Sequence, residues 1–145
     1  RFLPNLTVQG YGIASYAHSL LKQFKGEWEY DTNWKMINGH PKKAGWIKAI
    51  QEGQRKVRKG LHLDCPVLVM SSDKSYPETK EWHNEYLSSD IVLDVHDIQK
   101  YAPKLGEYVT RDTIPNGIHD LILSEKESRD HTYRTVFDWM NRKGF

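Results

Sequence analysis

At 145 residues the chain is long enough for one domain, and its 38 per cent hydrophobic content lies on the polar side of ordinary globular proteins. A net charge of +2 is too small to argue for a nucleic-acid partner, and no apolar run approaches the length needed to span a bilayer. The single cysteine, Cys65, excludes an internal disulfide framework. A cytoplasmic location is the expectation. Arg1 in place of a methionine, with no charged-then-apolar leader behind it, fits a truncated or processed chain.

In chain order, residues 1–13 hold Pro4, Gly10 and Gly12 and read as irregular. Ala17, Leu20, Leu21 and Phe24 fall at helical spacing and predict a short helix over 14–24, stopped by Gly26. Residues 27–40 show no sustained period and end in the turn signal Asn38-Gly39. Pro41 suits the first turn of a helix running to Lys59, because its missing N–H had no partner there. Ile47, Ile50, Val57 and Leu61 form its apolar face, seven Lys or Arg residues decorate the rest, and Gly60 is the stop. The continuously apolar Cys65 to Met70 predicts a parallel strand covered on both faces, with Cys65 a buried thiol. Residues 74–89 form a polar excursion with a helical turn around 78–86. A helix over 95–105, a strand over 108–114 and a final helix over 125–141 follow. The last carries Tyr133, Val136, Phe137 and Met140 on one face, and Ser124 with Glu127 resembles a capping box.

Strands alternating with helices argue for an α/β fold with a parallel sheet. Two parallel strands cannot by themselves make a sheet covered on both faces, so more strands are expected from upstream polypeptide. Reactive groups of such sheets gather beyond the carboxyl ends of the strands. His119 sits there, after a turn in which Gly117 would let the backbone bend. An imidazole at that place serves as general base and then general acid, provided a carboxylate fixes its tautomer. Asp73, Asp90 and Asp94 are the candidates. Spacing favours Asp90, which is one helix and one strand from His119; Asp73 is the alternative if the excursion loops out and back. Asp94 suits a helix N-cap, and Asp120 a loop-stabilising role. The nucleophile is missing: there is no G-x-S-x-G elbow, and Ser15, Ser71, Ser72 and Cys65 each lack the setting. No compact set of metal ligands is present in the sequence.

These residues resemble the C-terminal half of an α/β-hydrolase of the serine aminopeptidase and monoacylglycerol-lipase-like (lysophospholipase-like) branch. The likeness is carried by Gly26-Glu27-Trp28-Glu29-Tyr30 with Trp34-Lys35, by Ala44-Gly45-Trp46, and by Cys65-Pro66-Val67-Leu68-Val69. Its most specific parts are Asp90-Ile91-Val92-Leu93-Asp94-Val95 and His119-Asp120-Leu121-Ile122-Leu123-Ser124. The resemblance implies a cap or lid over 1–40 and the C-terminal part of the hydrolase core over 41–145. It implies Asp90 as catalytic acid, His119 as catalytic histidine, and Trp28, Tyr30 and Trp34 as residues that shape a substrate pocket. The expected function of the complete protein is acyl transfer from a small-molecule ester or amide, without a cofactor. Its serine and oxyanion amides would come from the N-terminal half of the same protein, and this chain alone would be inactive. Two other readings stand beside it: a non-catalytic module binding a partner through the cap or the basic helix 41–59, and a phosphate- or RNA-binding domain resting on that helix alone.

Overall fold

The computed structural model describes residues 5–8 and 14–144. The expectations around Pro4, Gly10 and Gly12 lie outside them. In order come β1 (Thr7–Val8), α1 (Ala14–Leu20), β2 (Lys42–Lys43), α2 (Ala44–Lys59), β3 (Val67–Ser72), α3 (Val95–Tyr101), β4 (Val109–Ile114) and α4 (Lys126–Lys143). Short 3-10 turns occur at Asn84–Leu87, Ala102–Lys104 and Leu121–Leu123. The chain is α/β: β3 and β4 run parallel, in register from Val67 opposite Val109 to Ser72 opposite Ile114.

Successive strand residues point to opposite faces, and β4 shows which helix takes which face. Arg111 reaches the carbonyl of Gln99 on α3 at 3.0 Å, whereas Thr110 accepts the indole N–H of Trp139 on α4 at 3.1 Å. The two helices therefore flank the sheet from opposite sides. Gln99 also donates to the buried Ser71 hydroxyl at 2.9 Å, tying α3 to the carboxyl end of β3.

The excursion after β3 loops out and returns. Asp90 donates its N–H to the Lys74 carbonyl and accepts from the Tyr76 N–H, both at 3.0 Å, so it lies beside Ser75 just past the strand end. Inside the loop Tyr86 is fully buried, with Tyr76, Trp82 and His83 at 5.3–5.8 Å between ring centroids. Its hydroxyl accepts the Thr79 N–H at 2.8 Å and donates to the Glu81 carbonyl at 3.2 Å. An aromatic anchor satisfied at its polar tip holds a polar segment closed. The helical turn expected around 78–86 is the later and shorter Asn84–Leu87.

Several expectations are corrected. β3 is not covered on both faces: Val67 to Met70 are half-buried, and full burial begins only at Ser71. Cys65 is exposed rather than buried, because the whole stretch 61–66 ahead of β3 lies at the surface. α2 starts at Ala44 and not at Pro41, since Lys42–Lys43 pair antiparallel with Thr7–Val8. No α2 residue is buried; its Ala49, Ile50 and Val57 look across a cavity of about 460 Å³ at Leu93, Ile98 and Tyr101. The helix expected over 95–105 leaves α geometry after Tyr101, where Pro103 falls in a 3-10 turn.

α4 turns a different face inward from the one its apolar residues predict. Ser128 and Thr132 are buried, while Tyr133 and Phe137 stack on each other at 6.4 Å and are 45 and 58 per cent exposed. The small hydroxyl residues let the helix approach the turn after β4, where Ser128 donates to the Pro115 carbonyl at 2.7 Å. The capping box is not formed either. Glu125 is the N-cap without a side-chain bond, and the Ser124 hydroxyl accepts the Ile118 N–H at 3.0 Å instead.

Candidate active site

Asp90 and His119 come together at the carboxyl end of the parallel pair. The imidazole Nδ1 lies 3.0 Å from Asp90 Oδ2, and Asp90 is 3 per cent exposed. The other carboxylate oxygen, Oδ1, accepts the N–H groups of Val92 and Leu93, each at 2.8 Å. This is the local turn that aspartate favours, and here it aims Oδ2 at the histidine.

His119 is delivered by the turn after β4. Gly117 was expected to supply the bend, but the left-handed residue is Asn116, at φ 55°. Gly117 is needed for a different reason. A Cβ there would stand 2.6 Å from Leu121 Cδ2 and 3.2 Å from the Ile114 carbonyl oxygen. The turn is further tied by Asp73, whose Oδ1 accepts the Asn116 N–H at 3.0 Å. Asp73 is exposed and serves this turn; the carboxylate in contact with the imidazole is that of Asp90. Asp94 caps α3 by accepting the His96 N–H at 2.9 Å, as its position suggested.

The electrostatics follow from the geometry. The hydrogen bond to Asp90 favours the charged imidazole and outweighs burial, so the His119 pKa lies above its ordinary value. Burial alone would raise the Asp90 pKa. Hydrogen bonds from His119, Leu93 and Val92 overcome it and hold the carboxyl below its usual range. An ionised carboxylate only accepts, so a neutral His119 carries its proton on Nδ1 and presents a lone pair on Nε2. No hydrogen bond engages Nε2 among the described residues.

Asp120, expected only to steady its loop, joins three segments. Its carboxylate accepts from the Tyr16 hydroxyl at 2.5 Å and from Lys35 Nζ at 2.9 Å, and its N–H donates to the same tyrosine oxygen at 3.2 Å. Burial pushes the Tyr16 phenol far up, with Asp120 adding to it. Asp120 stays below the usual carboxylate range, because Tyr16 and Lys35 outweigh the effect of burial. Tyr16 also stands edge-on to the His119 ring, 5.9 Å between centroids. Sequence reasoning missed Tyr16 and Lys35; they lie 104 and 85 positions from Asp120, and no local pattern marks such partners.

A cavity of about 380 Å³ opens at His119. Its apolar wall is Ala17, Met36, Ile37 and Val92, and Lys35 and Lys42 bring charge to it. None of Trp28, Tyr30 and Trp34 lines it. Trp28 donates to the Leu123 carbonyl at 2.7 Å with the Arg129 guanidinium 4.8 Å from its ring centroid, and lines a separate cavity of about 320 Å³. Trp34 is 83 per cent exposed. The Tyr30 hydroxyl is buried without a hydrogen-bond partner among the described residues, and burial raises its pKa. Among the described residues no three His, Cys, Asp or Glu side chains gather as metal ligands, and no helix is long and apolar enough to cross a membrane.

No family model, no curated protein and no solved structure matches this chain.

Proposed function

We propose that this chain supplies the acid and the histidine of a serine hydrolase of the α/β-hydrolase fold, and that the nucleophile comes from polypeptide outside this sequence. The observation that carries the reading is the buried Asp90 bonded to His119 Nδ1 at 3.0 Å, with Nε2 left for a hydroxyl. A buried anion there orients the imidazole and stabilises its protonated form, as acyl transfer requires at the moment the serine proton is taken. The half-buried apolar stretch of β3 supports the second half of the reading: it suits a sheet continued by strands from elsewhere in the protein. The substrate is an ester or amide, and the apolar wall of the cavity suits an apolar acyl group. No cofactor enters this chemistry.

The test is labelling of the complete gene product by a fluorophosphonate, with ester turnover measured beside it. His119→Ala should abolish both. Asp90→Asn should lower kcat by about 10³- to 10⁴-fold, and Asp73→Asn by only a few-fold. Full labelling and turnover in the His119 variant would remove the imidazole from the mechanism. A binding role through α2 has one observation in its favour, namely that no α2 residue is buried. An upstream elbow that lacks its serine would favour that role over catalysis.

A further inference from the structure

We propose that Asp120, clamped by Tyr16 and Lys35, is a positioning residue for His119: it holds the Tyr16 ring edge-on to the imidazole and ties residues 35–40 to the cavity wall. The inference rests on the hydrolase reading and adds three side chains to it.

Five contacts carry it. Tyr16 on α1 binds Asp120 twice, giving its hydroxyl proton to the carboxylate and taking the backbone N–H. Lys35 binds the same carboxylate oxygen at 2.9 Å, and its ammonium lies 5.1 Å from the Tyr16 ring centroid. The Tyr16 ring meets the imidazole at 80°. Three segments that are remote in the chain thus converge on the residue next to His119. With the carboxylate shared by two donors, Tyr16 is not free to swing without breaking a charge-assisted bond, so its ring stays edge-on to the imidazole. Lys35 also ties down the stretch that supplies Met36 and Ile37 to the cavity wall.

The same cluster sets charge beside the ring. His119 is faced by Asp90 from the end of the excursion, Tyr16 from α1, Lys35 and His40 from the segment before β2, Lys42 from β2, and its neighbour Asp120. Asp120 favours the protonated imidazole and Lys35 opposes it.

The experiment is an NMR pH titration of His119 in the complete gene product. Asp120→Asn should move the midpoint to lower pH and Lys35→Met should move it to higher pH. Tyr16→Phe should broaden the Nδ1 proton resonance through loss of the clamp. In the complete protein Asp120→Asn should lower kcat by up to about 10²-fold, with part recovered in Asp120→Glu. A midpoint that stays in place, or moves the same way in both charge variants, overturns the role of Asp120. Should Asp120→Asn fail to fold, Lys35→Met still decides, because that side chain is partly exposed: a midpoint that does not rise overturns the role of the cluster. A complete protein inert to the acyl probe would instead overturn the hydrolase reading, so the two failures are distinguishable.

Discussion

At the scale of single residues the pair Asp90–His119 links stability to pH. His119 has a raised pKa in the folded chain, so its contribution is fully present below the unfolded value near 6.5 and is lost as pH climbs through the folded value. Asp90 has a lowered pKa, so its contribution is present above the unfolded value near 3.8 and is lost as pH falls through the folded value. The pair therefore stabilises the fold most between those two unfolded values. Denaturant unfolding across pH should show a maximum in that window which flattens in Asp90→Asn, with a loss there of about 3 kcal/mol for a broken buried pair. An unchanged pH profile would show that the contact contributes nothing to the fold. General-base catalysis of the proposed kind needs the neutral ring, so on that proposal the acidic limb of kcat/KM should sit above the ordinary histidine pKa.

At the scale of elements the orientation of α4 is the main point. Small hydroxyl residues occupy the face against the turn after β4, and the aromatic stripe faces outward. Thr132 is 1 per cent exposed, so Thr132→Leu adds bulk where the helix is already in contact. That variant should lose about 1–3 kcal/mol by thermal unfolding. Phe137→Ser removes a side chain that is 58 per cent exposed and should stay within about 0.5 kcal/mol of the parent. The reverse ranking would mean that the apolar stripe is the packing face after all. The excursion between β3 and α3 makes a related point. Its sequence is polar, yet it holds Tyr86, the one buried tyrosine among the described residues, and its closure at Lys74 and Tyr76 sets where Asp90 stands.

At the scale of the whole molecule the parallel pair is a sheet with open margins. β3 bonds β4 on one side, and among the described residues no strand bonds its other side. Val67 to Met70 remain half-buried although they are the most apolar stretch of the chain. Joining this chain to the N-terminal half proposed for the complete protein should slow amide hydrogen exchange along Val67 to Met70 at least tenfold, since a second neighbour would take up the free amides. Unchanged exchange would overturn the continued sheet and with it the proposed source of the nucleophile.

The order of the helices with β3 and β4, the parallel α/β class and the pairing of His119 with an acid before α3 were legible in the sequence, whereas the two-residue strands β1 and β2 were not. They follow from local periodicity and from the rule that reactive groups collect beyond strand ends. The choice of Asp90 over Asp73 was legible only as a preference, because it depends on the excursion closing at Ser75. Tertiary structure alone decided that Asp73 serves the Asn116 turn, that Trp28 packs against Arg129 and Leu123 and does not face the histidine, and that Tyr16 and Lys35 meet on Asp120. The physical reason is range. Helix and strand periods are written in neighbours a few positions apart, whereas a hydrogen bond across 85 or 104 residues leaves no trace in composition or spacing. The face that α4 buries belongs with these, since a helix turns inward whichever side fits its neighbour most closely, and here that side carries Ser128 and Thr132.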